Sequence, residues 1–267
     1  MTRRLGAALA SKRLVLGVVH LLPLPGSPRF AGREPVLSRA LADAERLLEG
    51  GADGFVVENF GDAPFYKDQV PAGTVAEMTA LVERIRTRVG SAPLVGVNVL
   101  RNDATAALAV AGATASDFVR VNVHVGVMFT DQGTVEGRAH ETTRLRASTV
   151  AEVAIVADVA VKHASPPPGF DLVQSAKDTA YRGLADALVV TGAGTGAPAS
   201  PERLRQVRAA VPDRPLLVGS GVDTGSIAEL LALADGVIVG TSVKQGGRVS
   251  EPVDVSRVRA LLAAAGR

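Results

Sequence analysis

The sequence predicts a (β/α)8 barrel, a closed ring of parallel strands alternating with helices, and three observations carry that expectation. Eight short runs rich in apolar and β-branched residues, at 14–20, 54–58, 94–99, 118–123, 153–161, 187–191, 216–219 and 236–240, succeed one another with segments of helical spacing between them. The runs are largely apolar rather than alternating, as in strands buried on both faces beneath covering helices. A chain of 267 residues also has the length such a barrel needs, about 250 residues. An open doubly wound sheet is the runner-up. Nothing resembles a linker, so residues 1–267 are read as one domain.

The elements follow in order. Arg3 and Arg4 precede a short apolar stretch that Ser11, Lys12 and Arg13 interrupt too soon for a secretory signal. The first strand leads into a Pro-rich loop and then a helix marked by Leu37, Leu41, Ala44, Leu47 and Leu48. A small-Asp-small step, Ala52-Asp53-Gly54, opens the second strand, and it returns as Ala185-Asp186-Ala187 and Ala234-Asp235-Gly236, with Ser116-Asp117 as a weaker relative. These carboxylates stand where strands begin and are read as turn or capping residues on the stability face. Asp103 is the expected N-cap of an Ala-rich helix, and the stretch after the fourth strand is a long loop carrying Asp131 as a lid residue. Ser200 before Pro201 and Glu202, Asp223 before Thr224, and Asp254 mark later helix starts.

The absence of Cys excludes disulfides, thiolate nucleophiles, Cys-ligated zinc and iron–sulfur clusters. The 29 basic and 27 acidic residues are scattered, so no basic arm points to a nucleic acid polymer. No apolar stretch reaches membrane-spanning length, which excludes membrane insertion by a helix and leaves a cytoplasmic location as the expectation. Homo-oligomerisation stays open.

In a barrel of this kind the active site gathers at the carboxyl ends of the strands. Polar residues there are His20, Glu58 with Asn59, Asn98 with Arg101 and Asn102, Asn122 with His124, Asp158 with Lys162 and His163, and Thr191. Period two places Asn122 with His124 and Asp158 with Lys162 on shared faces. Glu58, Asp158, Lys162, His20 and His124 are the candidate catalytic groups. Asn59, Asn98, Arg101, Asn102, Asn122, Asp131, His163, Thr191, Gly194 and Thr195 are candidates for binding substrate. For Glu58 the competing reading is an ion pair with a neighbouring Arg, and Asp158, inside an apolar run, needs a partner in either case. The Gly-rich turns Gly219-Ser220-Gly221 and Gly240-Thr241-Ser242 suit a phosphate, since small residues let backbone N–H groups approach an anion; glycines that merely make tight turns are the alternative. No cofactor is expected. A divalent metal held by Glu58, His124 and Asp158 from separate strands lacks the close His pair that would support it.

Several stretches together resemble the BtpA/SgcQ family: residues 17–28 (GVVHLLPLPGSP), 57–65 (VENFGDAPF), 96–103 (GVNVLRND), 120–124 (RVNVH), 130–133 (TDQG), 161–163 (VKH) and 218–221 (VGSG). The resemblance spans nearly the whole chain in order. It implies a TIM barrel of the ribulose-phosphate-binding type. The family's name comes from a cyanobacterial member associated with accumulation of the photosystem I complex, whereas other members stand in the setting of sugar-phosphate metabolism. Together with the polar strand ends, the resemblance predicts an enzyme acting on a phosphorylated sugar or nucleotide-like substrate. Glycosidic C–N or C–O cleavage or transfer ranks above isomerase or lyase chemistry. A non-catalytic assembly or stabilisation factor is the alternative.

Overall fold

The computed structural model describes residues 3–161, 164–192 and 199–267. Strands β1 (Leu14–His20), β2 (Gly54–Glu58), β3 (Leu94–Asn98), β4 (Phe118–Val121), β7 (Ala154–Ala160), β8 (Ala187–Val190), β9 (Leu216–Val218) and β10 (Gly236–Val239) close in that order into a parallel barrel, β10 pairing back onto β1. Each falls within a residue or two of the expected run. Helices α2 (Arg33–Glu49), α3 (Ala72–Val89), α4 (Ala104–Ala113), α5 (Ala139–Thr149), α6 (Leu172–Lys177), α7 (Pro201–Ala210), α8 (Ile227–Leu233) and α9 (Val255–Ala264) follow the barrel strands in turn.

Alternation along each strand sorts two cores. Val15, Val19, Phe55, Val57, Val95 and Val97 point outward and pack beneath the helices. Leu14, Leu16 and Val18 of β1 point into the lumen, where they meet Val56, Phe118, Val156, Val189 and Ile238. Residues 3–11 form a further helix, α1 (Arg3–Ser11), whose Leu5 and Leu9 join this inner cluster and plug the amino end of the barrel.

The amino end is latched four times by the same device. The side chain of Asp53 accepts the Val15 N–H at 2.8 Å while its own N–H donates to the Val15 carbonyl at 2.9 Å. Asp117 does the same with Val95, Asp186 with Ile155 and Asp235 with Leu216. Each carboxylate therefore clamps the strand preceding its own, and each is neutralised by basic side chains: Lys12 and Arg267, Arg4 and Arg86, Arg146, and Arg13 with Arg208. The stability reading of Asp53, Asp186 and Asp235 agrees with this arrangement, and Asp117 is their full equivalent.

Two expectations are corrected. Residues 127–136 are not a plain loop but a hairpin, β5 (Val127–Thr130) and β6 (Gly133–Glu136), inserted between β4 and β7 and bonded to the loop after β7 through Phe129 and Ser165. The helix after β9 starts at Ile227 rather than Thr224, because Asp223 accepts from the N–H groups of Gly225 and Ser226 and caps the turn before it. Asp103 and Asp254 do cap their helices. No helix among the described residues is long and apolar enough to cross a membrane.

Burial pushes the Asp53 carboxyl up, but the hydrogen bonds from Arg267, Lys12 and the Val15 N–H outweigh it and hold the group below the ordinary carboxylate value. Its contribution is thus complete above the unfolded pKa of about 3.9 and is lost as pH falls through the folded value. Asp53→Asn, which keeps an acceptor for Val15 but no charge, should cost about 1–2 kcal/mol at neutral pH. In thermal unfolding the gap from the parent chain should narrow below about pH 4; a gap independent of pH would remove the latch from the stability account.

Candidate active site

The lumen series continues past the hydrophobic layers into polar side chains. On β1 the run Leu14, Leu16, Val18 ends at His20, and on β2 Gly54 and Val56 lead to Glu58. On β3 Leu94 and Gly96 lead to Asn98, on β4 Phe118 leads to Arg120, with Asn122 just past the strand's end, and on β7 Ala154 and Val156 lead to Asp158. Register places His20 opposite Glu58 and Glu58 opposite Asn98 on three neighbouring strands. Asn98 Nδ2 donates to Glu58 Oε2 at 2.8 Å, so this carboxylate is held in one orientation at the mouth of the barrel although the residue is only 5% exposed.

Inside the lumen Arg120 donates from Nε and Nη2, at 3.0 and 2.9 Å, to Asp158 of the adjacent strand β7, a bidentate pair in which both side chains are almost fully buried. Burial opposes the guanidinium charge, but Asp158 and, after it, Glu58 hold the Arg120 pKa above its ordinary value. Gly219 makes room for this group: a Cβ there would lie 3.1 Å from Arg120 Nη2 and closer still to Val189 and Thr191. Gly240 plays the same part for His20, whose Cε1 would stand 2.8 Å from an added Cβ.

Two recesses open onto this centre and share His20, Glu58 and Arg120. The smaller, about 360 Å³, is walled by Gly219, Ser220, Gly221, Gly240, Thr241 and Ser242, with Arg257 of α9 at its edge. Gly221 has φ +68, a conformation natural to glycine. Ser220 Oγ accepts from the Gly192 N–H and Ser242 Oγ donates to the Val222 carbonyl, which fixes the two turns. The larger recess, about 440 Å³, is walled by Leu22, Phe60, Phe65 and Leu100 and reached by Arg29, Arg39, Arg101 and Asn122.

The structure therefore brings together His20, Glu58, Asn122, Arg101 and the two Gly-rich turns, with Asn98 and Asp158 behind them. Other candidates stand elsewhere. Asn59 does not face the cavity: its Oδ1 accepts the Leu100 N–H at 2.7 Å and its Nδ2 donates to Asp62, so it joins the loops after β2 and β3. Asn102 likewise brackets Val123, accepting its N–H and donating to its carbonyl, each at 2.8 Å. Thr191 spends its hydroxyl on the Ala160 carbonyl. Asp131 is exposed at the hairpin tip and pairs with Arg101 at 2.9 Å.

His124 does not share a face with Asn122, because β4 ends at Val121 and regular alternation stops there. Its Nε2 meets the Gly183 carbonyl at 2.8 Å, and burial lowers its pKa, so it belongs to the packing between β4 and the turn before β8. Among the described residues no three His, Asp or Glu side chains gather to hold a metal ion, Glu58, His124 and Asp158 included. The strand β7 bulges between Asp158 and Ala160. Lys162, His163, Gly194 and Thr195 lie outside the described residues.

Sequence reasoning missed Arg120, although its lumen parity on β4 was readable, and missed Arg29, Arg39 and Arg257, which reach the site from one loop and two helices. It also missed Asp62, whose carboxylate accepts the Leu24 N–H at 2.7 Å and ties the loops after β1 and β2 together.

The BtpA family model matches residues 11–267. The photosystem I biogenesis protein BtpA of Synechocystis sp. is 47% identical over 94% of this chain and 87% of that protein. An uncharacterized protein of Pyrococcus furiosus is 44% identical over 94% of each chain. Phosphoribosyl anthranilate isomerase from Thermus thermophilus superposes with a TM-score of 0.57 at 13% identity, covering 95% of this chain and 98% of that one, a likeness of fold. By the extent of the family match and the identity to its cyanobacterial member, the chain belongs to the BtpA family.

Proposed function

We propose that this protein is an enzyme that binds a phosphorylated sugar or nucleotide-like substrate and uses Glu58 and His20 for proton transfer at the sugar, with cleavage or transfer at a glycosidic C–N or C–O bond as its reaction. The observation that carries this reading is the sharing of His20, Glu58 and Arg120 by both recesses. A phosphate seated against residues 219–221 and 240–242 puts the attached sugar at these three side chains. Backbone donors and Arg257 supply the anion site.

In hydrolysis the carboxylate of Glu58 takes a proton from the attacking water as oxygen bonds to the anomeric carbon. The old bond's electron pair leaves with the departing nitrogen or oxygen, which gains a proton from His20. Asn98 keeps Glu58 oriented, and the negative charge of Glu58 favours the positive character that develops on the sugar. In transfer, the acceptor hydroxyl replaces water.

The second reading, a non-catalytic assembly factor, rests on the name of the Synechocystis relative. A scaffold has no use for a buried carboxylate aligned by an amide beside a Gly-lined anion recess, which is why catalysis is preferred.

Two experiments test the proposal. Mass spectrometry of the ligand that co-purifies with the chain identifies a substrate; with it, Glu58→Gln should reduce turnover by about 10²- to 10⁴-fold while ligand affinity survives. Full turnover with a lowered melting temperature would return Glu58 to the scaffold. Gly221→Val, strained at its positive φ, should weaken ribose 5-phosphate binding by roughly tenfold while costing only about 1–2 kcal/mol of stability. Unchanged affinity would move the phosphate elsewhere.

A further inference from the structure

The larger recess has a chemistry of its own. Where the phosphate lies in the small recess and the sugar lies at Glu58, whatever is bonded to the sugar must enter the large one, since His20, Glu58 and Arg120 are the boundary between them. Its apolar walls come from Leu22, Phe60, Phe65 and Leu100, with the Phe60 ring against His20 and the Arg101 guanidinium over the Phe65 ring at 4.9 Å. Those surfaces suit a planar ring.

The charges lining it are unequal. Arg29, Arg39, Arg101 and Arg120 reach the recess, against one carboxylate, Glu58. Three of these cations have carboxylate partners behind the wall or at the rim: Asp43 for Arg39, Asp131 for Arg101 and Asp158 for Arg120. Arg29 differs, because among the described residues it has no carboxylate within ion-pair distance and only a long 3.4 Å bond to the Ala63 carbonyl. A guanidinium presents its N–H groups in a fork that matches a carboxylate and gains most where the carboxylate arrives already desolvated on one side by apolar walls.

An independent observation comes from Asn122. Its Oδ1 is buried, with no hydrogen-bond partner among the described residues, in a side chain that lines the same recess and belongs to a residue only 4% exposed. A buried acceptor left unmet costs stability, so its position calls for a donor from a ligand, such as a sugar hydroxyl.

We infer that the large recess is a subsite for a planar, carboxylate-bearing group joined to the phosphosugar, with Arg29 as the carboxylate's partner and Asn122 as acceptor for a donor on the sugar. This rests on the phosphate placement proposed above and adds the substrate class: a sugar phosphate conjugated to an aromatic or heteroaromatic acid. The volume, about 440 Å³, is in the range of small-molecule sites.

Three probes that share a ribose 5-phosphate unit separate the possibilities by calorimetry: ribose 5-phosphate itself, nicotinamide mononucleotide and nicotinic acid mononucleotide. The last two differ in an amide against a carboxylate on the same ring. The acid should bind roughly tenfold more tightly than the amide, the usual worth of a charged hydrogen bond. Arg29→Gln should erase that preference while ribose 5-phosphate affinity and the melting temperature stay unchanged, since Arg29 is exposed on a loop. Equal binding of acid and amide by the parent chain, with ribose 5-phosphate still bound, overturns the carboxylate subsite and leaves the phosphate placement standing. Loss of ribose 5-phosphate affinity in Arg29→Gln but not in Gly221→Val would put the phosphate in the large recess and overturn both. Failure of the parent chain to bind ribose 5-phosphate overturns the phosphate reading, and this inference with it.

Discussion

The pairing of Arg120 with Asp158, made inside the lumen between the adjacent strands β4 and β7, constrains nearly everything at the carboxyl end. Neither charge tolerates burial alone, and removing one partner of such a pair costs about 3–5 kcal/mol. The two-point geometry therefore fixes β4 against β7 and sets the guanidinium in place. Gly219 lies against that group, and a Cβ there would collide with Val189 and Thr191 and crowd the guanidinium. Once Asp158 is engaged, the remaining influence of Arg120 falls on Glu58, which is also bonded by Asn98. The carboxylate that faces both recesses thus has its orientation and its electrostatic surroundings decided before any ligand arrives.

The amino end solves a different problem. There the strands expose N–H groups with no preceding turn to receive them, and four Asp side chains answer with one repeated exchange of bonds to Val15, Val95, Ile155 and Leu216. Arg and Lys side chains then offset the charge. Because the repeat involves every second strand, the barrel is stitched in pairs at its base and by loop brackets at its rim, where Asp62, Asn59 and Asn102 join successive loops. The latch carboxylates at the base and Glu58 at the rim are different groups, which leaves the candidate site free of the latch.

Much of this was legible in the order of residues. Strand runs and the small-Asp-small step are local signals, and both survive folding because a doubly covered strand must be apolar and the residue before it must turn. Lumen parity was legible too, through His20, Glu58 and Asn98. The failures share a cause: past the last ladder bond, period two no longer governs where a side chain points. Asn59, Asn102 and His124 lie beyond that limit, and each found a backbone partner instead of the cavity. The β5–β6 hairpin escaped notice because its strands are four residues each, joined by Asp131 and Gln132, although Gly133 at φ +90 just after them is an ordinary hairpin signal. Arg29 and Arg257 come from a loop and a helix, where no strand rule applies.

The rim explains why two recesses meet at one place. The loops after β1, β2 and β3 are held by side-chain brackets that leave their apolar residues facing inward, so Leu22, Phe60 and Leu100 form a wall rather than a flexible fringe. The loops after β9 and β10 are short and Gly-rich, so the opposite side of the barrel presents backbone instead of side chains. An extended ligand with an anion at one end and a flat body at the other matches this asymmetry in a single orientation. In the proposed function the bond between its two parts would lie over His20 and Glu58, the pair that neighbouring strands bring into register. The asymmetry of the rim and the proposed proton-transfer groups are thus set by one geometry, as the proposal requires if binding at both ends is to position a bond for reaction.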